Sequence, residues 1–325
     1  MLRAVSKDSD VLLDPGAAYQ EFAPARAAMQ ARDWPAVRGL LDRVPPPLRT
    51  AVIATCGEEL PDPSFPAGVL NADPDDTTAA SVLGAHLITT GWKIRTDAAA
   101  EQVSRRQFEK FHEWLRQAEA VLVEAAARNP RDPAVWTELM ISGRGLQVGQ
   151  SEVRRRYDRA VQADPHHLPA QMQLVQQLCP KWGGSWAEVH GFAREAMLAA
   201  PFGHPQGALV ADAHIEHGFA GNRLAPMVAG TISKHLRDEQ VRAELYDAAR
   251  RSVWHPEFRR WYGWEWAAST FAMVFSLLGD ERGAAHLFGV LGNLGTKQPW
   301  EYLGMPAYQL RKRRRRALAR AGVAR

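Results

Sequence analysis

Two histidines one helical turn apart carry the clearest candidate for metal chemistry in this sequence. His214 and His217 lie in a run with helical periodicity, and a three-residue step places both imidazoles on neighbouring parts of one helix face. Neutral imidazole is a common zinc ligand, so the pair supplies two of the ligands that a zinc site needs, although no third ligand is identifiable from the sequence. The two histidines predict a metal-dependent enzyme or a metal-binding protein as one alternative, and ordinary hydrogen-bonding histidines as the other.

Four large aromatic residues crowd a second segment. Trp261, Tyr262, Trp264 and Trp266 lie within six positions. On a helix, Tyr262 and Trp266 share a face whereas Trp261 and Trp264 lie on others, so a single neighbouring element cannot readily bury all four rings. The rings either fill a wide interface between helices or line a groove in which they anchor a partner. We take the four residues as candidates for binding a protein or peptide.

Positive charge is concentrated near the C-terminal end of the sequence. The formal net charge is +4, but eight of the 40 basic residues and none of the acidic ones lie between positions 311 and 325, which leaves 32 basic against 36 acidic residues elsewhere. We expect a solvated tail whose attraction to phosphates is weakly selective and depends strongly on salt. A nucleic-acid-associated protein is therefore a further alternative, whereas membrane binding is not expected because apolar residues are sparse in the tail. The candidate anion-binding residues are Arg311, Lys312, Arg313, Arg314, Arg315 and Arg316.

The elements that position these residues are predicted to be helices. Between Ser104 and Arg128 the apolar residues recur at steps of three and four, and Ser104 with Gln107 has the spacing of a capping box. Asp132 and Pro133 then predict the cap and the first residue of the next helix. Similar signals recur along most of the chain, and no sustained strand alternation interrupts them.

Composition places the chain among ordinary globular proteins. Hydrophobic residues make up 46% and charged residues 23% of the sequence. The two cysteines, Cys56 and Cys179, are too few for a disulfide framework or a cysteine-built zinc site, and they fit a reducing compartment. The first ten residues reach charged side chains too early for a secretory signal. We therefore predict a cytoplasmic protein, and the sequence favours a non-enzymatic protein without a cofactor.

Prolines follow successive helical segments at a repeating distance. Pro130, Pro165 and Pro201 are 35 and 36 residues apart, close to the roughly 34-residue period of paired-helix repeats. The chain here resembles the tetratricopeptide superfamily. The residues that carry the resemblance are Ala118, Leu122, Ala125, Pro130, Trp136, Leu139, Tyr157, Ala160 and Pro165, and then Phe271, Ala272, Phe275, Gly279, Ala284, Phe288 and Leu291.

Two further segments are similar to a group of uncharacterised bacterial proteins that carry tetratricopeptide-like helices. These segments are a PKWGGS turn at residues 180–185 and the helical run at residues 106–115. The resemblance implies a fold and supplies no activity. It agrees with the helical periodicity that the residues themselves show.

The sequence predicts an all-α fold, and more specifically a tetratricopeptide-like α-solenoid of stacked helical hairpins. The expected organisation is an N-terminal helical segment over residues 1–60, a linker rich in Pro and Asp over 61–76, a degenerate repeat domain over 77–310 and the basic tail over 311–325. Such arrays leave one continuous face available for binding. The leading hypothesis is therefore a non-enzymatic scaffold that binds a protein or peptide on a concave surface, with an oligomeric state that the sequence does not indicate.

Overall fold

Helices account for the regular secondary structure of this protein. The computed structural model describes residues 11–96, 100–220, 232 and 234–322. Within those ranges there is no β-strand, and one isolated bridge pairs Leu12 with Leu294. The prediction of an all-α protein is confirmed. No helix in the described ranges has the length and apolar character needed to cross a membrane.

Local sequence signals explain where the helices begin. The Ser104 hydroxyl accepts a hydrogen bond from the Gln107 backbone, and the Gln107 side chain accepts one from the Ser104 backbone, so the predicted capping box is present. The Asp132 carboxylate caps the following helix, and Pro133 occupies its first position. These caps satisfy backbone amides that have no partner within the helix.

The chain forms two compact units, of which one comprises residues 21–184. Its helices pack as sequential neighbours, since α5 contacts α6, α6 contacts α7, and α7 contacts both α8 and α9. Leu115, Leu122 and Leu139 are among the apolar side chains that this packing buries. The helices of this unit are α1 (Phe22–Gln30), α2 (Trp34–Leu41), α3 (Pro46–Glu59), α4 (Ser64–Ala72), α5 (Thr77–Arg95), α6 (Arg105–Arg128), α7 (Pro133–Leu146), α8 (Gln150–Ala160) and α9 (Leu168–Gln177).

The other unit combines residues up to Gln20 with residues 185–325. Its helix α11 contacts α10, α12 and α13, while α14 contacts both α13 and α15. Almost the whole of α13 is buried, in keeping with its mainly apolar sequence. The helices of this unit are α10 (Trp186–Ala199), α11 (Gly207–Phe219), α12 (Glu239–Arg251), α13 (Trp264–Leu278), α14 (Glu281–Leu291) and α15 (Pro306–Arg320).

Two regions of the sequence fold differently from expectation. The segment 61–76 was expected to be irregular, yet it contains α4, because only one of its four prolines, Pro66, lies within that helix and it occupies an early position. Residues 311–320 were expected to form a solvated tail, yet they continue α15, which packs on α14. The last three residues of the expected tail, 323–325, lie outside the described residues.

Candidate functional site

Four histidines from three parts of the 185–325 unit come together beside one helix. His190 lies on α10, His214 and His217 lie on α11, and His235 precedes Asp238, the N-cap of α12. The two histidines that α11 projects one turn apart meet the other two, since His217 contacts His190 and His214 contacts His235. We call these four residues the histidine quartet.

The quartet is a closed ring of contacts. Two of its sides are hydrogen bonds, with 3.0 Å between His190 Nε2 and His217 Nδ1 and 3.2 Å between His214 Nδ1 and His235 Nε2. The other two sides are ring contacts, with centroid separations of 4.4 Å for His190 and His214 and 4.7 Å for His217 and His235. Each imidazole therefore touches two others, which brings four potential ligand nitrogens into one small volume.

A carboxylate from α12 fixes one member of the quartet. His214 Nε2 lies 3.1 Å from Glu244 Oε2, and Arg194 of α10 forms an ion pair with the same carboxylate. Burial raises the pKa of Glu244, but hydrogen bonds from His214 and Arg194 outweigh it and lower that pKa to about 2. An ionised carboxylate only accepts hydrogen bonds, so the tautomer of His214 that fits this contact carries a proton on Nε2 and a lone pair on Nδ1. Its Nδ1 lone pair then points towards His235, as in metal sites where a carboxylate orients a ligating histidine.

The surroundings favour the neutral form of three members of the quartet, His190, His217 and His235. Burial, together with the neighbouring histidines, lowers the pKa of His190 to about 3 and that of His235 to about 4, and burial also lowers the pKa of His217. The indole of Trp186 stacks on the His217 ring at 4.5 Å with an interplanar angle of 7°. The imidazoles of His190, His217 and His235 are therefore uncharged near neutral pH, which is the state that binds metal ions.

The quartet is partly open to solvent. His214 is buried, whereas the other three histidines are partly exposed. His235 also lines an open depression of about 510 Å³ together with Lys234, Asp238 and Val241. As the side chains stand, no group of three or more His, Cys, Asp or Glu residues in the described part of the chain is placed so that it could hold a metal ion. Four of the ring nitrogens instead pair with one another, and His190 Nδ1 is buried without a hydrogen-bond partner among the described residues.

The structure adds two residues to the pair found in the sequence. His214 and His217 were identified from their spacing on one helix, whereas His190 and His235 were missed because they join the pair only through packing. A sequence signal did exist, since five of the 11 histidines fall between positions 190 and 235. The fifth, His204, stacks instead on Trp261 with a centroid separation of 5.5 Å.

The aromatic candidates for partner binding divide between surface and interior. Trp261 is 53% exposed, and Tyr262 is half-buried. Trp264 and Trp266 are 1% and 7% exposed, because they begin α13 and point into the core of its unit. The burial of Trp264 and Trp266 agrees with the alternative in which the rings fill an interface between helices, and Trp261 is the ring that remains exposed.

The basic candidates also divide once the helix is formed. Arg314 is buried and Arg313 is half-buried, because both project from the side of α15 that faces the protein. The other four members of the run are exposed, namely Arg311, Lys312, Arg315 and Arg316. Because α15 packs on its own unit, some residues of the basic run are buried and others are exposed.

No family model, curated protein or solved structure matches this chain.

Proposed function

We propose that this protein binds a divalent transition-metal ion at the histidine quartet. The observation that carries the proposal is the pairwise spacing of the imidazole nitrogens, 3.0 Å in one pair and 3.2 Å in the other. With metal–nitrogen bonds of about 2.0–2.1 Å, two ligands of one ion are separated by roughly 2.9–3.4 Å. Each pair therefore already has the separation of two ligands of a single ion.

Binding requires the quartet to exchange hydrogen bonds for metal bonds. The two protons that now lie between paired nitrogens must leave or move, and the rings must turn until the nitrogens share a centre. Imidazole ligands suit zinc, copper, nickel and iron, and a site of uncharged nitrogens disfavours calcium and magnesium, which prefer oxygen. Glu244 would orient His214 and balance part of the positive charge of the ion.

A metal titration of the full chain tests this proposal. After dialysis against a chelator, the wild-type protein should bind one equivalent of Co²⁺ with the visible absorption of a nitrogen-ligated ion, and Zn²⁺ should displace it. His190→Gln and His235→Gln should each weaken binding strongly, and Glu244→Gln should weaken it roughly 10- to 100-fold. The matched control is His286→Gln, which changes an exposed histidine of the same unit outside the quartet.

Two results would overturn the proposal. One is that the chelated wild-type chain takes up no Co²⁺ or Zn²⁺ at micromolar protein. The other is that a variant lacking all four histidines of the quartet, with an unchanged far-ultraviolet circular dichroism spectrum, retains the ion as well as the wild type does. If that variant does not fold, undiminished metal binding by His235→Gln would overturn the proposal. His235 suits this test because it is partly exposed and lines the open depression.

The helical-repeat scaffold that binds a protein or peptide on a concave surface remains a prediction. The sequential packing of α6, α7, α8 and α9 agrees with stacked helical hairpins. Burial of Trp264 and Trp266 leaves Trp261 as the most exposed of the four proposed anchors. The cytoplasmic location and the bacterial, tetratricopeptide-like kinship likewise remain predictions. The metal-binding proposal rests on two specific nitrogen separations and requires the rings to turn before they can share one ion; it is the function that we put forward.

A further inference from the structure

Helix α15 presents three faces with different electrostatic environments. Its inner face carries Leu310 and Ala317, which are fully buried. Arg314 lies on the same face at 5% exposure and donates a hydrogen bond from Nη1 to the Gly292 carbonyl oxygen at 2.9 Å. This face therefore holds the helix on its own unit and leaves the Arg314 guanidinium unavailable to a ligand.

A second face of α15 is neutralised by an acidic residue of α14. Glu281 Oε1 lies 2.6 Å from Arg316 Nε and 3.2 Å from Arg320 Nη1. The Glu281 side chain is only 12% exposed, whereas both arginines are more than half exposed. One carboxylate thus holds two guanidinium groups along the edge of the helix and offsets part of their charge.

The third face points outward and contains no acidic group. Arg311, Lys312 and Arg315 are exposed on it, and no acidic residue occurs between positions 306 and 322. Neither Lys312 nor Arg315 forms an ion pair within the described ranges. Tyr308, which is 49% exposed, lies one turn before Lys312, and the Lys312 ammonium is 5.8 Å from the centre of its ring. We call these four residues the outer face of α15.

We propose that the outer face of α15 binds single-stranded nucleic acid. Its three cations would contact successive phosphates, and the exposed Tyr308 ring offers a surface on which a base can stack. The basic helix lies on a chain that otherwise carries more acidic than basic residues, so a polyanion is drawn to this face and not to the rest of the protein.

The burial pattern argues for a nucleic acid over a membrane surface. An interfacial helix needs a continuous apolar face that enters the lipid, but the apolar residues in the middle of α15 face its own unit. The large apolar side chains exposed near the helix are Met305 and Tyr308, both at its N-terminal end. Phosphate contacts along the cationic row need no such insertion.

Fluorescence anisotropy with a labelled 20-nucleotide oligouridine tests the proposal on the full chain over a range of salt concentrations. The double variant Lys312→Ala, Arg315→Ala should bind about tenfold more weakly, and its salt dependence, log K against log salt, should be shallower by about 1.4. The matched control is Arg316→Ala, Arg320→Ala, which removes the same charge from the same helix but from the face paired with Glu281. Its salt dependence should stay at the wild-type slope.

Two further variants separate stacking from charge. Tyr308→Ala should lower the affinity several-fold without changing the salt slope, because it removes a stacking surface and no cation. Glu281→Gln should raise both the affinity and the slope, because it frees Arg316 and Arg320. The higher affinity expected of Glu281→Gln tests the proposal even if the control variant fails to fold.

Three outcomes would overturn the proposal. The first is no binding of oligouridine by the wild type at 50 mM salt. The second is an equal change of slope in both double variants, which would show that charge acts without a defined face. The third is binding of vesicles containing anionic phosphatidylserine, lost in the Lys312→Ala, Arg315→Ala variant, with no binding of oligouridine; the ligand would then be a lipid surface.

Discussion

Arg49 of α3 forms a bidentate ion pair with Asp132, the N-cap residue of α7. Arg49 Nη1 and Nη2 lie 2.8 and 3.1 Å from the two carboxylate oxygens, and the side chains are only 16% and 4% exposed. The same carboxylate accepts a hydrogen bond from the Thr77 hydroxyl at 3.1 Å. One acidic side chain therefore joins α3, α5 and α7 in the 21–184 unit while it also caps a helix.

Removal of this carboxylate should destabilise the protein more than the loss of a cap does. Asp132→Ala leaves the Arg49 guanidinium partly buried without its acidic partner, so we expect a loss of about 3–5 kcal/mol in the free energy of unfolding. Asp33→Ala is the matched control, because Asp33 caps α2 in the same way but is exposed. That control should lose about 0.5–2 kcal/mol. Urea unfolding measures both, and equal losses would show that the ion pair adds nothing.

The approach of α11 to α12 depends on a residue without a side chain. A Cβ atom at Gly207 would lie 2.5 Å from both the Ala248 carbonyl oxygen and the Ser252 hydroxyl oxygen. Gly207→Ala should therefore destabilise the fold by roughly 1–3 kcal/mol, despite the better helix propensity of alanine. Gly191→Ala on α10 has open space around it and should stabilise by up to about 1 kcal/mol. The test is a pair of thermal or urea transitions that shift in opposite directions; shifts of the same sign would contradict it.

The two tryptophans on either side of Gly263 should respond differently to truncation. Trp264 is 1% exposed, so Trp264→Ala should cost about 3–5 kcal/mol of stability. Trp261 is 53% exposed, so Trp261→Ala should change stability by less than about 1 kcal/mol. Comparison of the two urea midpoints checks this. A large loss for Trp261→Ala would mean that the exposed ring is an essential part of the fold.

Periodicity and capping predicted much of the fold because both act over one or two helical turns. Trp136, Leu139, Tyr157 and Ala160 are among the residues that carry the resemblance to a helical repeat, and all four are buried. The Trp136 indole also donates a hydrogen bond to the Pro130 carbonyl oxygen at 2.8 Å, which ties the helix to the turn before it. Local rules are sufficient for such positions, because the residues that matter are neighbours in the sequence.

Only two of the four histidines of the candidate site could be predicted from the sequence. His214 and His217 are three residues apart, so helix geometry alone relates them. His190 and His235 lie 24 and 21 residues from His214, and only the packing of α10 and of the segment before α12 against α11 brings them near. The basic run shows the same limit, because the sequence contains no sign that Arg314 would face Gly292 while Arg315 faces solvent.

Glu138 of α7 is an acidic residue in the interior with no cation paired to it among the described residues. It is 2% exposed, and burial alone raises the pKa of its carboxyl to about 8. A carboxyl whose pKa is higher in the folded state than in the unfolded state favours folding while it stays protonated. This contribution is complete below the unfolded-state pKa of about 4.5 and is lost as the pH rises through about 8.

Glu138→Gln should therefore remove a pH dependence of stability. The amide keeps the shape of the protonated carboxyl and does not ionise, so the variant should be close to wild type in stability near pH 5. At pH 9 it should be more stable by an amount on the order of a few kcal/mol, because the wild type must then either bury a charge or hold a proton. Urea unfolding at both pH values measures the difference, and Glu113→Gln, which changes an exposed glutamate of α6, is the control. A difference between wild type and Glu138→Gln that is the same at pH 5 and pH 9 would show that the Glu138 carboxyl does not titrate in the interior.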